Sequence, residues 1–466
     1  MQTGAVAGHS LGIKMEHGRA LAAFSASTDW RALPVELREK VVDHVVDTIG
    51  VMYSGIGMDA CINARRATSL WGAGDDAAVI GTQLRLPAPS AAFINALHAR
   101  IHTFDDTYEP GTMHTGSPVV SAALALAEKH DIDGATFLSA VIVGYEVAAR
   151  VAAAVSPSHY AAGFHNTGTC TVFGSAAAAS RVLGLDPAAT AEAFGLAGAT
   201  AGGLRQHQID GSMLDSALHG ARAAQSGVMV AQLRAAGVRG PPAILEGPMG
   251  FCAVMAPARN LDRLVSGLGV DYEFAKITIK PYPTCRFVHG PVEAALALKR
   301  QHAIDPAAIG HITLATFKQS IEVSDRPRLN TSFDAVVSHQ YALALAMVRG
   351  NVELAEIINY ERGDPRALAL MQKVRVVHDP ALEADFPRCW PHRVTVHMSD
   401  GAQHSLLSEY PPGRLAPIPR AAIDDKFITQ CAPHLGEEKA RSALEMLRGI
   451  EQLRSLRGVV RALASA

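Results

Sequence analysis

The chain of 466 residues has six cysteines, Cys61, Cys170, Cys252, Cys285, Cys389 and Cys431, which neither cluster nor form a C-x-x-C pair. Their scatter excludes a disulfide framework and a dithiol motif, and it fits a reducing cytoplasm. Blocks of like charge are missing, and the formal net charge is only -2. A nucleic acid or an anionic membrane is thereby excluded as the main partner, so an acidic ligand has to be met by cations placed locally. No stretch reaches membrane-spanning length without glycine, proline or charge. The opening MQTGAVAGHSLGIKMEHGRALAAF lacks the charged start, apolar block and cleavage site of a signal peptide. No internal repeat is evident.

Familiar catalytic motifs are absent as well. His98 and His102 have helical spacing but lack the glutamate of H-E-x-x-H, and no Cys/His quartet exists, so no metal is expected. GLAGATAGGL follows a helix-like segment rather than a strand and reads as helix packing, not nucleotide binding. No G-x-S-x-G elbow occurs, and Cys170 in TGTCTVFGS reads as a small buried thiol.

What is present is a long Ala-rich, Gly-punctuated helical texture. LPVELREKVVDHVVDTIGVMYSGI repeats apolar residues at three and four spacing, with Pro34 suited to a first turn and Gly50 and Gly55 near the end. SPVVSAALALAEKH, DGATFLSAVIVGYEVAARVAAAV, TVFGSAAAASRVLGL, PAATAEAFGLAGATAGGL and LDSALHGARAAQSGVMVAQLRAAG continue it. After Asp262 the texture changes: EFAKITIKPYP, IGHITLATF, KVRVVHDP and HRVTVHMSDGAQHSLLSEY alternate β-branched and polar residues, and Asp400-Gly401 signals a hairpin. The expected fold is mainly α: a large helical domain over 16–264, completed by C-terminal helices over 411–466, and a smaller α+β lid domain over 265–410.

Three segments combine histidine, lysine, tyrosine and hydroxyls with glycine and proline: HTFDDTYEPGTMHTGSP (His102 to Pro118), GFHNTGTCTVFGSAAAASRVLGL (Gly163 to Leu185) and KPYPTCRFVHGPVEAALAL (Lys280 to Leu298). Each ends where a helix begins, and free N–H groups at a positive dipole end suit carboxylates. If the three ends converge, they make a polycarboxylate pocket.

These segments, with LPVELREKVVDHVVDTIGV before them and TSFDAVVSHQYALALAMVRG after, carry a resemblance to the MmgE/PrpD family, whose members include 2-methylcitrate dehydratase, cis-aconitate decarboxylase and iminodisuccinate epimerase. The resemblance runs over nearly the whole chain. It implies a homodimer of two-domain subunits with the site between the domains and no metal or organic cofactor. Position by position it places Asp106, Thr107, His114, His165, Lys280 and His289 in that site. Two positions depart from the decarboxylase and dehydratase pattern: Thr103 stands where an aspartate is usual before FDDT, and Ser216 stands where a lysine is usual before His219.

The chemistry the resemblance implies is a carbanion next to a carboxylate, which needs a placed base and cationic or N–H donors for the growing charge. His114, His165, Tyr145 and Lys280 are candidates for proton transfer; Lys280, Arg286 and His289 are candidates to hold carboxylates, with His102, Asp106 and Thr107 completing the binding set. Each also has a structural role open to it: His114 and His165 could cap helices, Lys280 could face solvent, Tyr145 could be core, Asp105 and Asp106 could cap or orient, and His207 and His219 are weaker candidates. With an acid and an ammonium missing, the expectation is an epimerase of a small di- or polycarboxylate, iminodisuccinate-like. The alternatives are a 2-methylcitrate dehydratase-like or cis-aconitate decarboxylase-like lyase with His102 replacing the absent acid, and a non-catalytic carboxylate-binding member.

Overall fold

The computed structural model describes residues 16–464. The first fifteen residues, on which much of the signal-peptide reading falls, and the last two lie outside the described residues. The helical periodicity becomes helices at Val35–Ser54, Gly116–His130, Gly134–Val155, Thr171–Val182, Pro187–Gly198 and Met213–Ala235. Their ends follow local chemistry. Asp133 and Asp186 accept backbone N–H bonds from Thr136 and Ala189, Pro187 occupies the first turn, and Gly55 closes the helix that Pro34 opens. Gly50 lies in the last turns of that helix, near its end. A Cβ there would come within 3.1 Å of the Phe427 ring, so the missing side chain admits the returning helix Arg420–Leu435.

Small residues set the packing of the large domain. Helices Gly134–Val155 and Thr171–Val182 meet where a Cβ on Gly144 would sit 2.9 Å from the Gly174 carbonyl, and one on Gly174 would sit 2.4 Å from that of Gly144. Gly134–Val155 is long and apolar enough to cross a membrane, but it is buried inside the domain and serves as a core helix. One cluster of buried side chains runs from Leu21 to Ile279 and resumes from Ile423 to Leu463. The last helices thus return to the first domain.

A second cluster, centred on Val288–Val396, fills the smaller α+β domain. Its four-stranded sheet has the order Val374–His378, Ile309–Thr316, His392–Met398, Gln403–Ser408; the first pair is parallel and the others antiparallel. Gly401, at a φ of 92°, turns the expected hairpin. Helices Arg286–His302 and His339–Arg349 pack on this sheet. The alternation in EFAKITIKPYP does not join it. Only Ile277–Thr278 is strand, and it pairs antiparallel with Thr107–Tyr108 of the helical domain, Thr107 opposite Thr278. That two-residue ladder matters more than its length suggests, because continuing its register brings Lys280 level with Asp105.

Candidate active site

The three singled-out segments converge. A cleft of about 650 Å³ between the domains narrows past Thr112, Tyr160 and Trp390 into an inner cavity of about 80 Å³. The helical domain lines the inner cavity with Arg100, Thr103, Thr107, His114, His165 and Ser216; the lid contributes Cys285, Arg286 and Phe287.

Asp106 organises the loop that carries His114. Its Oδ1 accepts the backbone N–H groups of Thr115 (3.1 Å) and Gly116 (2.8 Å), at the buried donor end of helix Gly116–His130. Its Oδ2 accepts the Tyr145 hydroxyl at 2.6 Å and meets His44 Nδ1 at 2.8 Å. Burial works to raise its pKa, but the bonds and charge of His44, then Tyr145 and Gly116, outweigh that and hold the carboxyl below the ordinary range. Gly116 is required by this geometry, since a Cβ would stand 2.5 Å from Thr48 Oγ1 and 2.6 Å from the Tyr145 oxygen.

With the loop so tied, His114 Nδ1 lies 2.8 Å from the Asp106 carbonyl oxygen. A carbonyl only accepts, so the proton sits on Nδ1 and Nε2 carries the lone pair. Burial first, then the charges of Arg100 and Lys280, keep this ring neutral, its pKa well below the usual histidine value. The side chain retains 14 % exposure, toward the cavity it lines.

Lys280 is fully buried and donates to the Thr103 carbonyl at 2.5 Å. Burial depresses its pKa to about 7; the Asp105 carboxylate opposes this and Arg100 adds to it. Asp105 is pushed up, by burial above all, while Arg100 and Lys280 pull it down. Thr103 holds a φ of 54°, a left-handed conformation that costs a β-branched residue strain. Lys426, from the returning C-terminal helix, binds the Asp47 carboxylate (2.6 Å) and the carbonyls of Phe104 and Lys280 (3.0 Å each), locking both segments together.

Other expected residues fall elsewhere. Lys280 lies behind Thr103 rather than among the cavity-lining residues. Tyr145 is buried, its hydroxyl committed to Asp106, and His102 faces the Ser54 carbonyl at 3.1 Å; neither lines the cavity. Arg286 lines it but is heavily engaged, donating to Glu109 (2.9 Å) and the Pro412 carbonyl (2.6 Å), so it also clamps the domains. His289 lies beneath, accepting from Arg286 at 3.4 Å. Arg100, which is not among the residues expected from the sequence, is the helical domain's cation at the cavity. It donates to Asp105 (3.3 Å) and to Ser216 Oγ (3.0 Å), while its buried Nε has no protein partner among the described residues. Its only sequence signal is a position just before FDDT. His44 and Lys426 were missed because each sits in an ordinary amphipathic helix.

A small inner cavity with a guanidinium from each domain and a neutral imidazole of fixed tautomer is suited to binding a carboxylate and taking a neighbouring proton. Comparison with known proteins agrees in kind. Residues 19–264 match the MmgE/PrpD N-terminal domain and residues 282–452 the MmgE/PrpD C-terminal domain, and the chain belongs to the MmgE/PrpD family. Among its relatives, cis-aconitate decarboxylase of Aspergillus terreus is 26 % identical over 450 residues, covering 90 % of each chain. The Homo sapiens cis-aconitate decarboxylase is 24 % identical, covering 88 % of this chain and 86 % of its own. The 2-methylcitrate dehydratase of Cupriavidus necator is 26 % identical, covering 86 % and 87 %.

Proposed function

We propose that the chain is an enzyme that removes a proton from a carbon next to a carboxylate of a small di- or polycarboxylate and returns one to the opposite face: an epimerase of an iminodisuccinate-like aminodicarboxylate. The observation that carries this reading is His114, a neutral imidazole on the cavity wall whose Nδ1–H is held by Asp106, so that Nε2 is the base. Arg100 and Arg286 hold the substrate carboxylates and the charge that builds on them as the C–H bond breaks. Lys280, depressed to about 7, exchanges protons at neutral pH and serves the other face after leaving Thr103. Thr103 and Ser216 supply neither carboxylate nor ammonium, which leaves the proton inventory short for expelling hydroxide and sufficient for epimerisation.

A second reading, a lyase, is favoured by the names of the relatives, a decarboxylase and a dehydratase. Proton NMR in deuterated buffer separates the two. Wash-in of α-deuterium without a new product supports the epimerase, whereas a new alkene signal or loss of carbon dioxide supports the lyase. No change with any dicarboxylate would refute both and leave a binding protein. His114→Asn is expected to lose epimerisation by orders of magnitude, the scale of removing a general acid/base, while exchange persists in one enantiomer through the other base. Equal loss in both enantiomers would assign His114 to binding.

The assembly proposed is a homodimer in the cytoplasm. Leu214, Leu218, Met229 and Leu233 form an exposed apolar row at helical spacing along Met213–Ala235, which a second copy would cover, and all six cysteines are free thiols. Light scattering of the purified chain tests the dimer.

A further inference from the structure

Three imidazoles meet at the edge of the inner cavity in an arrangement that the proton transfers above do not require. His165 precedes the short helix Asn166–Thr169, His207 lies in Gln206–Asp210, and His219 is on Met213–Ala235. One ring nitrogen from each lies within 4.8 Å of the other two, with His165 and His207 buried and His219 partly so. The ring centroids are 4.9, 5.0 and 5.5 Å apart. His165 and His207 also line the cavity. We propose that His165, His207 and His219 form a site for a divalent transition metal, zinc in the first instance, with its fourth position open to the cavity.

The donor set points to this class of ion. Three imidazoles suit zinc and its neighbours, whereas calcium and magnesium demand oxygen ligands. The outer contacts fit too. His207 Nδ1 lies 3.0 Å from the Leu204 carbonyl, which fixes the proton there and puts the lone pair on Nε2, as ligating histidines commonly require. His165 and His219 face each other Nδ1 to Nδ1 at 2.8 Å, a distance that needs one shared proton. Zinc–nitrogen bonds of about 2.0–2.1 Å in a tetrahedron set the nitrogens about 3.3 Å apart. The pair therefore opens by roughly half an ångström, and the shared proton passes to the outer ring nitrogen of its imidazole as the ion enters, so that both rings ligate in the neutral form.

Electrostatics supplies the fourth ligand. Arg100 lines the same inner cavity as His165, and Arg205 immediately precedes the short helix that carries His207. Those two guanidiniums oppose a bare dication, so an anion, hydroxide or a ligand carboxylate, completes the site from the cavity side. His165 then acts as a ligand and proton transfer stays with His114 and Lys280. The inference does not rest on the epimerase reading, because metal binding is measured without turnover.

Two stacked histidine pairs in the lid, His302 with His404 and His311 with His397, could also take up an ion, so they are disabled first with His404→Ala and His311→Ala. The full chain carrying these changes, stripped with a chelator, is titrated calorimetrically with zinc chloride, and separately with cobalt(II) followed by visible absorption. One ion per chain and an intense tetrahedral cobalt spectrum are expected. Adding His207→Ala should weaken binding at least tenfold and abolish the spectrum while circular dichroism is unchanged. His219→Gln is the substitute if His207→Ala does not fold. Absence of stoichiometric binding, or equal affinity with and without His207, would overturn the site.

Discussion

Replacing Asp106 by asparagine tests whether one carboxylate organises the His114 loop. The carboxylate accepts four bonds from Thr115, Gly116, Tyr145 and His44 while fully buried. An asparagine of the same shape keeps one acceptor. If its oxygen stays with the two helix N–H groups, its amide nitrogen presents donors to Tyr145 and His44, so two charge-assisted bonds are lost. At roughly 1.5–3 kcal/mol each, this gives about 3–6 kcal/mol, reduced because a buried charge also disappears, so about 3 kcal/mol is expected. Urea unfolding at neutral pH should show it as a lower midpoint at constant slope. The pH dependence has a defined sign. Because the folded carboxyl sits below the ordinary value, its stabilisation is complete above that value and is lost as pH falls through the folded pKa. The difference in stability between the parent chain and the Asp106→Asn variant should therefore shrink in acid. A loss under about 1 kcal/mol at neutral pH, or one that persists undiminished in acid, would refute this account.

Gly116→Ala should disturb the same loop by sterics rather than charge. The added methyl falls inside contact distance of Thr48, Tyr145 and Asp106, and a melting temperature equal to the parent's would show that the helix start can yield. Lys426→Met should cost about 3–5 kcal/mol, since it strands the buried Asp47 carboxylate and releases the Phe104 and Lys280 carbonyls. Hydrogen exchange should speed up around residues 103–106 and 278–281, and unaltered protection there would remove Lys426 as the tie. Lys280→Ala should fold and lose turnover severely; near-parental turnover would take Lys280 out of the reaction.

Much of this could be read in advance wherever the signal was periodic and local. The amphipathic spacing in VELREKVVDHVV and the Asp400-Gly401 turn each dictate a local structure regardless of partners, and both formed. The three histidine-bearing segments were legible as helix-leading turns for the same reason. Their meeting depends on long-range pairing. The ladder between Thr107–Tyr108 and Ile277–Thr278 is two residues long, and no local pattern names its partner. Buried charge was the other blind spot: Lys426 and Arg100 look like solvent-facing residues of helices until Asp47, Asp105 and the carbonyls around them are placed. Tyr145 shows the reverse case, a residue of the right chemistry whose hydroxyl is already committed.

Lys280 offers the sharpest use of pH. Its amine is enclosed by Asp105, Arg100, Arg286 and Cys285, with Lys426 on its own backbone carbonyl, and burial dominates the balance that brings it to about 7. A lysine depressed on folding binds fewer protons than the unfolded chain between about 7 and its ordinary 10.5, so stability from this group rises as pH climbs through that window. Catalysis should follow the same titration. If neutral Lys280 is the base for one substrate enantiomer, kcat/KM for exchange of that enantiomer should rise with pH and level off above about 7, whereas exchange through the already neutral His114 should not share that limb. Measuring deuterium wash-in separately for each enantiomer across this range isolates the two limbs. Parallel profiles would show that a single group serves both faces, and the assignment of opposite faces to His114 and Lys280 would fall.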